Sequence, residues 1–147
     1  MLLRQSNGVN FTTGRAKFLD QSESSQGTTA KIWVRIEPAS FGHPILAQLD
    51  TGAAWSILDA EVANELSLFD GDGQLVTIST RLGEGRFTLK RIPVQILADD
   101  GESLSVDATV AVWSEWHHGT FIGYPGLLER IRFAVDPFDN YFYFGPA

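Results

Sequence analysis

The sequence predicts an all-β domain with one or two short helices, and three observations support that prediction. Val, Ile, Thr, Phe and Trp are plentiful, and these residues suit the pleated surface of a sheet. Gly and Pro recur between short apolar runs and mark turns between strands. In "AKIWVRIEP" the apolar residues Ile32, Val34 and Ile36 stand at every second position, which is the period of a half-buried strand.

Length and charge limit the class of protein. The 147 residues, 44% of them apolar, suffice for one globular domain of common size. A formal net charge of -7 argues against nucleic acid and anionic membranes as partners, and it disfavours strongly acidic substrates. Cysteine is absent, which excludes disulfides, thiolate zinc sites and a cysteine nucleophile. We expect no cofactor, no metal and a cytoplasmic location.

A polar segment precedes the domain. Residues 1–29 are expected to form an N-terminal arm or linker, and residues 30–147 the domain itself. Within the arm, "VNF" and "AKFL" are candidates for short edge strands. No apolar run near the N-terminus is long enough for a signal peptide or a membrane span.

The first half of the domain is predicted to contain two strands and a helix. The first strand ends at Pro38, and "ILAQLD" (residues 45–50) returns as the second. "LDAEVANELSLF" is the best helix, because the Asp59 carboxylate can accept hydrogen bonds from amides of the first turn. Three apolar residues share one face at helical spacing: Val62, Leu66 and Phe69.

The second half is predicted to be mostly strands. "QLVTIST" and "RFTLKRIPVQIL" flank "RLGEGR", which predicts a hairpin with a Gly-Glu-Gly tip. "LSVDATVAVW", "TFIG" and "RFAVDP" predict further strands, and "YPGLLERI" predicts a helical turn. The C-terminal "NYFYFGP" predicts a strand that is apolar on both faces, as in a central core strand.

One carboxylate stands at an unusual place in this pattern. In "AQLDTGAAWSIL", Asp50 follows an apolar strand and precedes a Thr-Gly-Ala turn. Asp50 could be a plain turn residue, hydrogen-bonded by Thr51 and the Gly52 amide. However, an ionised group at the end of a buried strand is costly unless its surroundings compensate, which favours a functional role.

Three features together resemble the retropepsin-type aspartic proteases. The first is "LDTGAAWSIL", and the second is the hairpin "STRLGEGRFTLK", about thirty residues later. The third is "TFIGYPGLLERI", which precedes a final strand. Their order and spacing match the family over residues 30–147. The resemblance implies a retropepsin-like acid protease barrel.

The resemblance also implies a catalytic loop of Asp50, Thr51 and Gly52. In the family, two such loops face each other and their carboxylates share one proton, because both cannot ionise at that distance. One carboxylate activates a water and the other polarises the scissile carbonyl. Thr51 would brace the loop, and a Cβ at Gly52 would crowd the partner loop or the carboxylate. This chain has one Asp-Thr-Gly, so the resemblance implies a homodimer.

The hairpin corresponds to the family's flap, which implies that it closes over an extended peptide or protein substrate. Ser56 is expected to brace the catalytic loop, and the chain termini are expected in a sheet between subunits. The implied substrate-binding residues, with Trp55 beside them, are Ala53, Leu82, Gly83, Glu84, Gly85, Phe87 and Ile122.

Two positions depart from the family's pattern. Retropepsins often have an Asp and an Arg, which pair and stiffen the dimer, where this chain has Ala54 and Tyr124. Both charges are missing together, which predicts a different dimer brace, with Trp55 and Tyr124 as candidates. The departure leaves two alternatives to an aspartic endopeptidase: a catalytically silent dimerisation or peptide-binding module, and an unrelated β-barrel binding domain.

Overall fold

The computed structural model describes residues 2–20 and 32–147. Strands make up 51% of the structure, which confirms the predicted all-β class. Within the described residues, the helical elements are α1 (Ala60–Glu65) and a 3-10 turn (Leu128–Arg130), and neither is long and apolar enough to cross a membrane. The strands are β1 (Gly14–Lys17), β2 (Leu19–Asp20), β3 (Ile32–Pro38), β4 (Ile45–Leu49), β5 (Ser56–Ile57), β6 (Gln74–Thr80), β7 (Gly83–Ile96), β8 (Asp100–Gly101), β9 (Leu104–Val112), β10 (Thr120–Ile122), β11 (Ile131–Asp136) and β12 (Tyr141–Pro146).

Six strands close into a barrel. They belong to an eight-stranded sheet with the order β2-β3-β4-β10-β5-β9-β7-β6, and pairing of β3 with β7 closes the ring. Alternate residues of β3 enter the main core: Val34 and Ile36 are buried whereas Arg35 is exposed. The period of two in the sequence therefore predicts the core face of β3 correctly.

The C-terminal strand lies inside a second, four-stranded sheet with the order β11-β12-β1-β8. β12 is paired along both edges, with β11 on one side and β1 on the other. Phe142 and Phe144 of β12 are fully buried. Of the two interpretations of this strand, the structure matches the central core strand. Within the chain, β11 pairs with β12 along its whole length and β1 pairs with Tyr141–Phe144, and the expected sheet between subunits stays a prediction.

Part of the predicted N-terminal arm belongs to the folded domain. Ala16 and Lys17 of "AKFL" belong to β1, which lies between β12 and β8, whereas Leu19 belongs to β2, the edge strand of the eight-stranded sheet. "VNF" contributes only an isolated bridge between Asn10 and Arg4. The remaining linker, residues 21–31, lies outside the described residues, and the boundary between residues 29 and 30 stays a prediction.

Helix α1 is shorter than its sequence pattern predicts. Asp59 caps the helix as predicted, because its Oδ1 accepts a hydrogen bond from Glu61 N (3.0 Å). Phe69 is 37% exposed and lies beyond the helix, so its predicted place on the helix face is wrong. Ser67 adopts a positive φ of 57°, which a continuing helix does not allow. The two predicted face residues that do pack on the core are Val62 and Leu66.

Candidate active site

Asp50 directly follows β4, as predicted, although Ala47 is the one residue of that strand that is buried. β10 runs parallel to β4, and Asp50 N donates a hydrogen bond to the Ile122 carbonyl (2.9 Å). The chain then turns: Ala53 N donates to the Asp50 carbonyl and Gly52 N donates to Asp50 Oδ1, both at 3.1 Å. The carboxylate is half-buried, and a backbone amide fixes one of its oxygens. The other oxygen accepts no hydrogen bond from the residues that the structure describes.

The far end of this loop is held by a second hydrogen bond. Gly123 N, at the end of β10, donates to the buried Ser56 Oγ (2.9 Å). A Cβ at Gly123 would lie 2.6 Å from the Trp55 carbonyl oxygen, closer than such atoms approach. Glycine is therefore required where β10 meets β5, and Ser56 stands in a bracing position beside the loop.

Gly52 is not required by the carboxylate of its own chain. A Cβ there would lie 3.5 Å from Asp50 Oδ1, which is an ordinary van der Waals distance. The prediction that a Cβ would crowd this carboxylate is wrong, because the turn directs the Gly52 amide toward the carboxylate and leaves room beside its Cα. Whether a Cβ would crowd the partner loop stays a prediction.

A cleft of about 700 Å³ opens beside Asp50. Its sides are formed by the Asp50 loop, the end of the β6–β7 hairpin, and the segment that leads into β10. Among residues 2–20 and 32–147, Asp50 is the only one that lines the cleft with a carboxylate. A smaller cavity of about 350 Å³ lies against α1 and contains none of the predicted site residues.

The cleft brings together only part of the predicted site. Phe87 and Ile122 are each 1% exposed and lie in the hydrophobic core, so the prediction that they line apolar pockets is wrong. Gly83, Glu84 and Gly85 belong to β7 and do not line the cleft, and Thr51 is exposed beside the loop without lining it. The predicted residues that line the cleft are Asp50, Gly52, Ala53 and Leu82.

The hairpin turns at Arg81 and Leu82, and not at the predicted Gly-Glu-Gly. Thr80 pairs directly with Gly83 across the turn. Thr80 Oγ1 donates to the Gly83 carbonyl (3.0 Å) and accepts from Leu82 N (3.1 Å), which closes the turn locally. Gly83 has a φ of +123°, so its glycine serves the turn exit.

Gly85 serves packing at the base of the hairpin. A Cβ there would lie 2.5 Å from the Trp113 ring, so the indole rests directly on the β7 backbone. Phe87 contacts the rings of Trp113 and Trp116, with centroid distances of 5.4 and 5.6 Å. These contacts belong to a second hydrophobic cluster, separate from the barrel core, whose other buried members are Ile57, Ile78 and Ala111.

Most of the cleft's aromatic and cationic side chains were not predicted. Trp33 carried a local signal, because it is a large apolar residue at an outward-facing position of the β3 alternation. The others come from a hairpin tip, a loop and a short strand that only the fold brings together. These unpredicted lining residues are Trp33, Arg81, Trp116, His118 and Phe121.

The outer face of the Asp50 loop is open. Thr51, Gly52 and Ala54 are exposed. Tyr124, which directly follows Gly123, is 50% exposed. The ion pairs among the described residues join Arg15 to Asp100, Arg35 to Asp99 and Arg91 to Asp107. None of them involves this face.

Comparison with known proteins gives a structural likeness without a sequence match. No protein-family model and no curated protein matches the chain. Among solved structures, the chain is similar to a retropepsin-like aspartic protease from Rickettsia conorii, with 19% identity and a TM-score of 0.56. The likeness covers 88% of this chain and 98% of that one. At this identity it shows the fold, a retropepsin-like all-β barrel.

Proposed function

We propose that the protein is an aspartic endopeptidase that acts as a homodimer, with one Asp50 from each subunit. The observation that carries the proposal is the position of the Asp50 carboxylate and the hydrogen bond that holds it. Its carboxylate is held by the Gly52 amide at 3.1 Å, lines a cleft, and is the only carboxylate that the described residues place there. The likeness to a retropepsin-like fold supports the same assignment.

A second chain supplies what the single cleft lacks. Peptide hydrolysis by activated water needs a base and an acid at once, and one Asp cannot be both. Two identical carboxylates around a shared proton provide one group in each state. The exposed face of Thr51, Gly52 and Ala54 leaves room for the partner's loop to approach. Contacts by Tyr124, which is 50% exposed, would replace the absent ion pair.

The proposed reaction needs no covalent intermediate. The ionised Asp50 takes a proton from water as the water oxygen attacks the scissile carbonyl carbon. The protonated Asp50 of the partner gives its proton to the carbonyl oxygen. The tetrahedral intermediate then collapses and its C–N bond breaks: the first Asp50 gives the proton it took from water to the leaving nitrogen, and the partner's Asp50 takes back the proton from the former carbonyl oxygen, which restores both carboxyl groups. We propose that the hairpin tip closes over the extended peptide during these steps, and that the role is limited proteolysis in the cytoplasm.

Substitution of Asp50 tests the assignment. We expect Asp50→Asn to lower cleavage of a mixed peptide library by about 10³-fold or more, since the shared proton is lost. Asp72→Asn is the matched control, because Asp72 is an exposed turn residue outside the cleft. Cleavage that survives Asp50→Asn would contradict the assignment. Wild-type protein that cleaves no peptide between about pH 4 and 8 would favour the catalytically silent module.

Subunit mixing tests the dimer. Wild type and Asp50→Asn are refolded together in equal amounts and assayed at constant total protein. If both Asp50 residues are needed, about a quarter of the dimers are fully wild type, and activity falls to about a quarter. Activity near one half would mean that each chain acts alone. Sedimentation equilibrium provides the mass of the active species.

A further inference from the structure

The charge of the cleft differs from that of the protein as a whole. The chain carries 18 acidic and 11 basic residues, yet among the described residues the only charged or titratable side chains that line the cleft are Asp50, Arg81 and His118. Arg81 stands at the exposed hairpin tip, and no carboxylate of the described residues lies within ion-pair distance of it. Glu84, an acid of the same hairpin, does not line the cleft. The described lining is therefore less acidic than the chain as a whole, and the expectation that acidic substrates are disfavoured stays a prediction.

A buried hydrogen-bond donor in the same cleft has no acceptor. Trp33 lines the cleft, and its indole Nε1 is buried without a hydrogen-bond partner among the described residues. A buried donor left unpaired is unfavourable, and an acceptor from a ligand would remove that penalty. By contrast, Trp116 Nε1 donates to the Gly119 carbonyl (2.8 Å) and is satisfied within the chain.

Other residues that line the cleft near Trp33 also carry hydrogen-bond donors. Trp33 pairs with Gln48 across β3 and β4, and Gln48 pairs with Phe121 across β4 and β10. All three residues line the cleft, so an indole N–H and a primary amide stand in one cross-strand row that ends in an aromatic ring. Arg81 and His118 add further N–H groups. Aromatic rings lie among these N–H groups.

We infer that the cleft selects peptides that carry an acidic side chain close to a large apolar residue. The carboxylate binds the N–H groups of Arg81 and the Trp33 row, and the apolar side chain packs on Trp116 and Phe121. This inference rests on the proposed peptide-binding role of the cleft and adds the substrate class. A charged acceptor is favoured because hydrogen bonds to ionised groups are stronger than those to neutral groups.

Binding of matched peptides tests this inference without requiring cleavage. A fluorescein-labelled peptide with two adjacent Phe residues is made with Glu, Gln or Lys at each flanking position in turn. Fluorescence anisotropy gives the dissociation constant for wild type, and mass spectrometry gives kcat/KM for any peptide that is cut. At the best position we expect Glu to bind about tenfold more tightly than Gln, and Lys to bind most weakly. Higher salt should narrow the difference.

Three variants locate the selectivity. In Arg81→Gln, the dissociation constants of the Glu and Gln peptides should become nearly equal, so that their ratio is close to one. Arg86→Gln is the matched control, because Arg86 is exposed on the same hairpin but outside the cleft, and it should retain the ratio. Trp33→Phe keeps an aromatic ring and removes the donor, so it should weaken the Glu peptide more than the Gln peptide.

The outcomes separate this inference from the proposed function. Equal binding of Glu and Gln peptides to wild type, tightest binding of the Lys peptide, or a ratio unchanged by Arg81→Gln would overturn the inference even if Asp50-dependent cleavage occurs. A Glu preference lost in Arg81→Gln would support the inference even if no peptide is cut, in which case the peptidase proposal alone fails.

Discussion

The Asp50 loop and the hairpin tip line the same cleft, but different contacts hold them. The loop is joined to barrel strands by two backbone amides, from Asp50 N to the Ile122 carbonyl and from Gly123 N to the buried Ser56 Oγ. The tip at Arg81 and Leu82 is held by the Thr80–Gly83 strand pair and by two hydrogen bonds of the Thr80 hydroxyl, and the Leu82 side chain is 62% exposed. The loop is therefore part of the barrel, whereas the tip depends on local contacts.

This difference predicts that local opening costs more free energy for the Asp50 loop than for the hairpin tip across the cleft. Segments tied to a buried core open only with the whole domain, while exposed turns with local hydrogen bonds open at little cost. A proposed catalytic carboxylate benefits from attachment to the buried core, because its position must be fixed. A hairpin tip that is proposed to close must be able to open at little cost. The base of the hairpin, packed by Trp113 and Phe87, lies between these extremes.

Gly123→Ala is expected to have the largest effect, because it breaks the attachment of the loop to the barrel. The new Cβ would meet the Trp55 carbonyl oxygen at 2.6 Å, and backbone cannot move aside as a side chain can. We expect the free energy of unfolding to fall by about 3 kcal/mol, measured by urea titration at fixed protein concentration.

Gly52→Ala is the matched control for that experiment. Its Cβ would lie 3.5 Å from Asp50 Oδ1 and no positive φ strains it, so the free energy of unfolding should change by less than about 1 kcal/mol. Equal losses for Gly123→Ala and Gly52→Ala would mean that the loop is not held at its β10 end in the way described.

Gly85→Ala is expected to have an intermediate effect, at the base of the hairpin. Its Cβ would meet the Trp113 ring at 2.5 Å, but a partly exposed ring can shift. We expect a loss of about 1–2 kcal/mol in the free energy of unfolding. In a double-mutant cycle with Trp113→Ala, the two losses should not add, because removal of the ring also removes the clash. Additive losses would contradict the packing explanation.

The fold was predictable where the pattern was local. The alternation of Ile32, Val34 and Ile36 predicts the buried face of β3, and Asp59 predicts the start of α1. Pairing was not predictable in the same way. β12 is apolar on both faces whether it lies in the core or between subunits, and only its partners β1 and β11 distinguish the two.

The candidate site was predictable at Asp50 and not across the cleft. The glycines after Leu82 indicated a hairpin tip because glycine is common in turns. However, Gly85 is glycine because of Trp113, which is distant in sequence. Phe87 and Ile122 are apolar, as pocket residues often are, yet the side chains of both are buried in the core. Which face of a strand meets a cleft is a property of the assembled sheet, and a short segment does not contain it.

Thr80→Val is expected to have the smallest effect on stability, because it changes only the tip. The substitution keeps the shape of the side chain and removes the hydroxyl that bonds the Gly83 carbonyl and Leu82 N. The free energy of unfolding should change by less than about 0.5 kcal/mol, since the turn is exposed.

Amide hydrogen exchange at Leu82 should nevertheless become roughly fivefold to tenfold faster in Thr80→Val, because its amide loses its local acceptor. Thr77→Val, on an exposed position of the same strand, should leave that exchange rate unchanged. Slow exchange at Leu82 in both variants would mean that the tip is as firmly held as the loop across the cleft, and the contrast between the two sides would be wrong.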